Sequence, residues 1–247
     1  MAPYGDNRRI PGVTGAIPTS LRDGYRAVVL GSTGGIGSAL AALLAADPRC
    51  GEVVGLSRAN GFDLLDEASV AARVRDAGSS GPIDLVFDAT GALVIDGYGP
   101  EKSLRALDPA GMAMQFAVNA IGPALILKHF APLLPRDRRS LFATLSARVG
   151  SIGDNRLGGW ISYRASKAAL NQIVRTGAIE IARTHPLAVV VALHPGTVAT
   201  RLSDPFAGDR ERLTPEASAA ALLGVLDGLA PESSGGFFAY DGTTVDW

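Results

Sequence analysis

The feature that most constrains this chain is the junction of an apolar run with a glycine cluster. Arg26-Ala27-Val28-Val29-Leu30 leads directly into Gly31-Ser32-Thr33-Gly34-Gly35-Ile36-Gly37, and the residues from Ser38 to Ala46 are strong helix formers stopped by Asp47-Pro48. That order reads as buried strand, tight loop and helix. Glycines let a backbone turn sharply and approach a ligand closely, and the free N–H groups at a helix start attract an anion. The spacing is Gly31-x-x-x-Gly35-x-Gly37, with Thr33 and Ile36 inside the loop. It predicts a phosphate site at the end of a first strand.

The rest of the chain repeats the alternation. Further strands are expected at 53–56, 83–87, 140–145, 187–193 and 237–240, with a short one at 61–64. Helices are expected at 66–77, 111–134, 160–184 and 215–229, and a short helix or loop at 101–107. Strands alternating with helices predict an α/β fold: a single-domain, doubly wound parallel sheet, Rossmann-like, with helices on both faces, over residues 25–247. Residues 1–24 are rich in Pro, Gly and polar side chains without a period, and read as a flexible N-terminal arm.

With 247 residues, 47% of them hydrophobic and 19% charged, the chain can bury a sizeable core. A formal net charge of -1 with no basic stripe gives no reason to expect a nucleic acid. No uninterrupted apolar run reaches the roughly 18 residues of a membrane span, so no membrane is expected. The single cysteine, Cys50, suits a reducing compartment, and a cytoplasmic location is expected. His129, His185 and His194 are scattered without metal-ligand spacing, and no Gly-x-Ser-x-Gly elbow points to a hydrolase.

Roughly 20 residues beyond the glycines, a dinucleotide site that prefers NAD places an acidic residue on the ribose. Here that point is Ser57-Arg58. A hydroxyl and a guanidinium suit a 2′-phosphate, so the pattern predicts NADP(H). Asp63, followed by Leu64, is placed to reach the adenine amino group.

Tyr163 and Lys167 are four residues apart on an expected helix and therefore side by side. An ammonium beside a phenol favours the phenolate, so the pair predicts a tyrosine with a lowered pKa that exchanges a proton near neutral pH. Met112, Phe116, Asn119, Ile126 and Phe130 follow one helical stripe, which puts an amide among apolar residues. Pro123, four residues on, has no N–H for the Asn119 carbonyl, so a kink is expected there. The freed carbonyl and amide need a partner such as water.

Together these residues resemble the short-chain dehydrogenases/reductases from about Tyr25 to Trp247. The glycine loop looks like that family's Thr-Gly-x-x-x-Gly-x-Gly, with Leu30 in place of the Thr. Asp88-Ala89-Thr90-Gly91 looks like its Asn-Asn-Ala-Gly, with Asp88 in place of the first Asn. Asn119, the pair Tyr163 and Lys167, and His194-Pro195-Gly196-Thr197-Val198-Ala199-Thr200 match in order. The run Ser146-Ala147-Arg148-Val149-Gly150-Ser151-Ile152, with Gly158-Gly159-Trp160, further resembles the C-factor/Sniffer-like carbonyl reductases.

The resemblance implies reduction of an aldehyde or ketone by NADPH. Tyr163 would be the acid, Lys167 would bind the nicotinamide ribose, and Asn119 would anchor a relay water. Ala89, Gly91, Pro195, Gly196, Val198 and Thr200 would lie along the cofactor. Aligning Gly150 with the family's Ser-Ser-x-x-Gly leaves Ala147 at the carbonyl-binding serine position. Ser146 is taken for that role, with Ser151 the other candidate. The segment from Arg201 to Gly208 reads as a lid, and Trp160, Leu93, Val94 and Phe206 as walls for a hydrophobic carbonyl substrate. The long helices would pair copies into a dimer or tetramer. The alternative is an NADP(H)-binding signalling or regulatory protein with weak or no catalysis. A third reading is a dehydrogenase working in the oxidative direction.

Overall fold

The computed structural model describes residues 18–206 and 211–247. Six strands form one sheet: β1 (Tyr25–Leu30), β2 (Cys50–Leu56), β3 (Leu85–Asp88), β4 (Ser140–Leu145), β5 (Ala188–His194) and β6 (Phe237–Ala239). Their order is β2-β1-β3-β4-β5-β6, and every pairing is parallel. The chain reverses direction across the sheet between β1 and β3. In sheets of this kind the crevice for a ligand lies at such a reversal, outside the carboxyl ends of the strands.

Strand alternation divides the core into two layers. Ala27, Val29, Leu85, Phe87, Leu141 and Val189 pack against α1 (Gly35–Ala45) and α6 (Pro215–Gly228). Val28, Leu30, Val86, Phe142 and Val190 face the other way, onto α2 (Glu67–Gly78), α4 (Gly122–Phe130) and α5 (Ile161–Ile181). Asp88 shares the parity of Val86, and Thr144 that of Phe142, so both point to the α4/α5 side.

Two expectations change. Gly61–Leu64 is not a strand: Gly61 is left-handed (φ 79°), and the Asp63 carboxylate accepts the Leu65 amide at 2.9 Å, closing a turn. The expected helix at 111–134 is built in pieces. α3 (Pro109–Phe116) passes into a π turn, Ala117–Ile121, before α4 begins, and the Gly122 N–H reaches back to the Ala117 carbonyl. Pro123 denies the Asn119 carbonyl a partner, and a wider turn absorbs the missing bond. This run from Pro109 to Leu133 is long and apolar enough, by length and composition, to cross a membrane. In the fold it packs against α2 and α5 instead.

Of the expected N-terminal arm, residues 1–17 lie outside the described residues. Residues 18–24 are tied down. The Ser20 amide donates to Asp227 at 2.6 Å, and the Arg49 guanidinium donates to the Pro18 carbonyl.

Candidate active site

The glycine loop is specified by close backbone approach. A Cβ on Gly37 would lie 2.2 Å from the Gly31 carbonyl oxygen, and Gly31 itself is left-handed at φ 75°. No side chain caps α1, whose N-terminal turn is left open to the crevice. Thr200 packs its methyl group against Gly35, while Ser218 of α6 donates to the Pro195 carbonyl at 2.8 Å. The Pro195-to-Thr200 segment is thereby fixed beside the loop. Thr33 is exposed on the loop, and Ile36 packs at the start of α1.

Ser57 is buried where β2 ends, its amide donating to the Asn60 side chain at 2.9 Å. Arg58 follows, exposed, with no carboxylate within 4 Å among the described residues. Asp63 is exposed beyond it, and Leu64 packs against Gly122. An open helix start, a glycine cradle and a free guanidinium fit a dinucleotide that carries an extra phosphate.

α5 delivers the reacting groups. Tyr163 is 8% and Lys167 3% exposed, and the lysine Nζ lies 6.0 Å from the tyrosine ring centre. Lys167 donates to the Leu145 carbonyl at 2.9 Å. Burial pulls the ammonium down to about 8, opposed by the charge of Asp88. Burial also pushes the Tyr163 phenol well above its ordinary value. This corrects the expected lowering: loss of hydration outweighs the ammonium, so the phenol keeps its proton at neutral pH.

Tyr25 has a different role. It is fully buried at the start of β1, the opposite end of the sheet, and its hydroxyl donates to Asp47 at 3.0 Å.

Asn119 is fully buried on the π turn. Its Oδ1 accepts the Ala92 amide at 3.0 Å, and its Nδ2 donates to the Ala92 carbonyl at 2.8 Å and to Gln115 at 2.7 Å. Its side chain thus clamps the loop after Ala89 and Gly91. Gln115 in turn donates to the Leu93 carbonyl at 2.9 Å. Sequence reasoning missed Gln115, although it lies one turn before Asn119 on the same buried side.

Ser146 does not take the expected position. It is buried, and its hydroxyl donates to Asn171 at 2.6 Å, two helical turns along α5 from Tyr163. Strand alternation sends it to the interior with Thr144. Ala147 carries no hydroxyl, and Ser151 is buried with its oxygen accepting the Asp154 amide at 3.0 Å.

The start of α5 is held from a distance. Trp160 is left-handed (φ 53°) and supplies no cap. Glu101 replaces it: its carboxylate accepts the Ser162 amide at 3.2 Å and the Ser162 hydroxyl, and its carbonyl accepts the Trp160 amide. Sequence reasoning did not single out Glu101. Trp160 meets Tyr163 edge to face at 6.2 Å and Phe206 at 5.5 Å. Leu93 is buried and Val94 exposed. Ala207 and Gly208 of the expected lid lie outside the described residues.

A buried phenol beside an ammonium, at the carboxyl end of a dinucleotide-type sheet, defines an oxidoreductase. The chain belongs to the short-chain dehydrogenase/reductase family: a family model described as enoyl-(acyl carrier protein) reductase matches residues 50–232. It is 35% identical over 196 residues to the 1-hydroxy-2-glutathionyl-2-methyl-3-butene dehydrogenase of Rhodococcus sp., covering 78% of this chain and 81% of that one. It is 38% identical over 168 residues to the C-signal protein of Myxococcus xanthus, covering 68% and 95%. Among solved structures, the NADPH-bound carbonyl reductase from chicken fatty liver superposes with a TM-score of 0.77 at 25% identity. That match covers 92% of this chain and all (100%) of that one.

Proposed function

We propose that this protein reduces an aldehyde or ketone to the alcohol with NADPH, and that Tyr163 donates the proton. The carrying observation is that α5 places the buried Tyr163 phenol and the Lys167 ammonium together, with the lysine Nζ 6.0 Å from the ring centre, at the carboxyl end of the sheet.

The cofactor is NADP(H), which supplies the hydride when bound. Gly31, Gly35 and Gly37, with Thr33 and Ile36, cradle its phosphates. Ser57 and Arg58 hold the 2′-phosphate, and Asp63 and Leu64 flank the adenine. Ala89, Gly91, Pro195, Gly196, Val198 and Thr200 line its path toward Tyr163. Lys167 holds the ribose hydroxyls from below, its ammonium oriented by the Leu145 carbonyl. Asn119 fixes the loop that carries Gly91. Similarity to the NADPH-bound carbonyl reductase supports this reading.

The substrate is hydrophobic. Trp160 and Phe206 present an edge-to-face pair over Tyr163, and aromatic walls favour apolar groups. With Ser146 spent on Asn171, the carbonyl oxygen relies on Tyr163. Exposed Ile121, beside α4, and Ile179 on α5 support pairing of two copies through those helices. The lone Cys50 supports a reducing, cytoplasmic setting.

Two observations favour a second reading. The position aligned with the carbonyl-binding serine is Ala147, and the C-signal relative is named for a signal rather than for a reaction. In that reading the chain binds NADP(H) and turns over weakly or not at all. NADPH oxidation against hydrophobic aldehydes, ketones and diones separates the two. Turnover that falls roughly 10²–10⁴-fold in Tyr163→Phe, with NADPH binding retained, supports the reductase. Tight NADPH binding with activity that Tyr163→Phe leaves unchanged supports the regulatory reading.

A further inference from the structure

Asp88 is a carboxylate at a strand end where the family resemblance leads one to expect an asparagine. It is fully buried. Its Oδ1 accepts the Thr90 amide at 2.9 Å and the Thr90 hydroxyl at 2.6 Å, and its Oδ2 accepts the Thr144 hydroxyl at 2.8 Å. The Thr90 amide is a donor only, so at least one of these contacts requires a lone pair on Oδ1. Burial pushes the Asp88 pKa upward, and against it the amide and the two hydroxyls together favour the ionised carboxylate, as does the charge of Lys167. Register places Asp88 opposite Thr144, one residue before the Leu145 carbonyl that receives Lys167. A Cβ on Gly91, three residues after Asp88, would stand 3.3 Å from the lysine Nζ. The carboxylate and the ammonium therefore share one buried corner of the α4/α5 layer.

Other groups around that corner do not offer a competing negative charge. α5 itself brings Tyr163, a neutral phenol. The π turn and α3 bring the amides Asn119 and Gln115. The turn after β4 brings Arg148, which pairs with Asp154 at 3.5 Å. The end of β5 brings His194, which burial and the charge of Arg148 pull down to about 4 and leave neutral. Asp241 faces His194 and Arg148, and among the described residues Asp88 is the carboxylate whose charge acts on Lys167.

We propose that Asp88 is the counter-ion of Lys167, a positioning residue that keeps the ammonium charged inside the site. Burial of Lys167 without a partner would favour the neutral amine, which cannot steady a ribose hydroxyl or a phenolate by charge. Asp88 opposes that loss from the strand layer, while the Leu145 carbonyl fixes direction. The proposal rests on Lys167 being the ammonium of the proposed reductase site. Its test needs no carbonyl compound, so failure to find a substrate leaves it readable.

The chain has only three lysines, Lys102, Lys128 and Lys167, so each can be followed by NMR of the full chain labelled with carbon-13 at lysine Cε. Asp88 and Lys167 make no ion pair within 4 Å, so in Asp88→Asn the Lys167 midpoint should fall by roughly 1 pH unit, the low end of what a nearby opposite charge supplies. Lys102 and Lys128 should not move. An unchanged Lys167 midpoint in folded Asp88→Asn overturns the proposal. Should that variant fail to fold, Lys167→Met offers the reciprocal reading on the Asp88 carboxyl carbon. Coupling between two sites is symmetric, so the Asp88 midpoint should rise by a similar amount. No rise there overturns the proposal equally.

Discussion

At the glycine loop, an added Cβ on Gly37 would stand 2.2 Å from the Gly31 carbonyl oxygen; across the crevice, Trp160 and Phe206 meet edge to face with centres 5.5 Å apart. The first region is specified by backbone. Its shape follows from residues that have no side chain, on a strand and helix tied into the core. The second is specified by side chains on connecting segments, with α5 capped by Glu101 from a different loop. Backbone cradles tolerate almost no change and suit a common cofactor. Loop-borne walls can change with the substrate while the sheet stays fixed. Tyr163 and Lys167 sit between the two, on a helix whose buried face belongs to the core.

The comparison breaks most visibly at Gly37→Ala. A methyl group there must push the Gly31 carbonyl aside, so NADPH binding, read by fluorescence titration, should be lost while the far-UV spectrum stays native. Retained binding would mean the cradle is not backbone-specified. A smaller effect is expected at Arg58→Ala. Loss of a charge-assisted contact costs about 1.5–3 kcal/mol, so NADPH affinity should fall roughly 10- to 100-fold while NADH affinity stays level. An equal fall for both cofactors would remove Arg58 from the 2′-phosphate. The smallest effect belongs to the wall. Phe206→Ala removes an aromatic pair worth about 0.5–1.5 kcal/mol, so KM for a hydrophobic ketone should rise roughly 2- to 12-fold with NADPH binding unaltered. A change in cofactor affinity would show that the two regions are not separable.

Much of the cofactor side is legible in the sequence because it is local. Val28-Val29-Leu30 followed by the glycines specifies a strand, a turn and a helix within a dozen or so residues. The Tyr163 and Lys167 pair is equally local, four residues on one helix. Pro123 even announces the disturbance at Asn119, though the π turn that results depends on packing. What the sequence hides is non-local. Glu101 caps a helix 61 residues away, and Gln115 reaches Leu93 across 22. Ser146 looked available until strand alternation turned it toward Asn171. The rise of the Tyr163 pKa depends on burial, which neither spacing nor the neighbouring lysine reveals.

The central claim is that Tyr163 is the proton donor of an NADPH-dependent reduction. It is tested most directly by following NADPH oxidation with a panel of hydrophobic aldehydes, ketones and diones, in the wild type and in Tyr163→Phe, with NADPH binding measured on both. The account predicts turnover in the wild type, a loss of roughly 10²–10⁴-fold in the variant, and equal binding. Turnover that survives Tyr163→Phe, or a wild type that binds neither NADPH nor NADH, would contradict it.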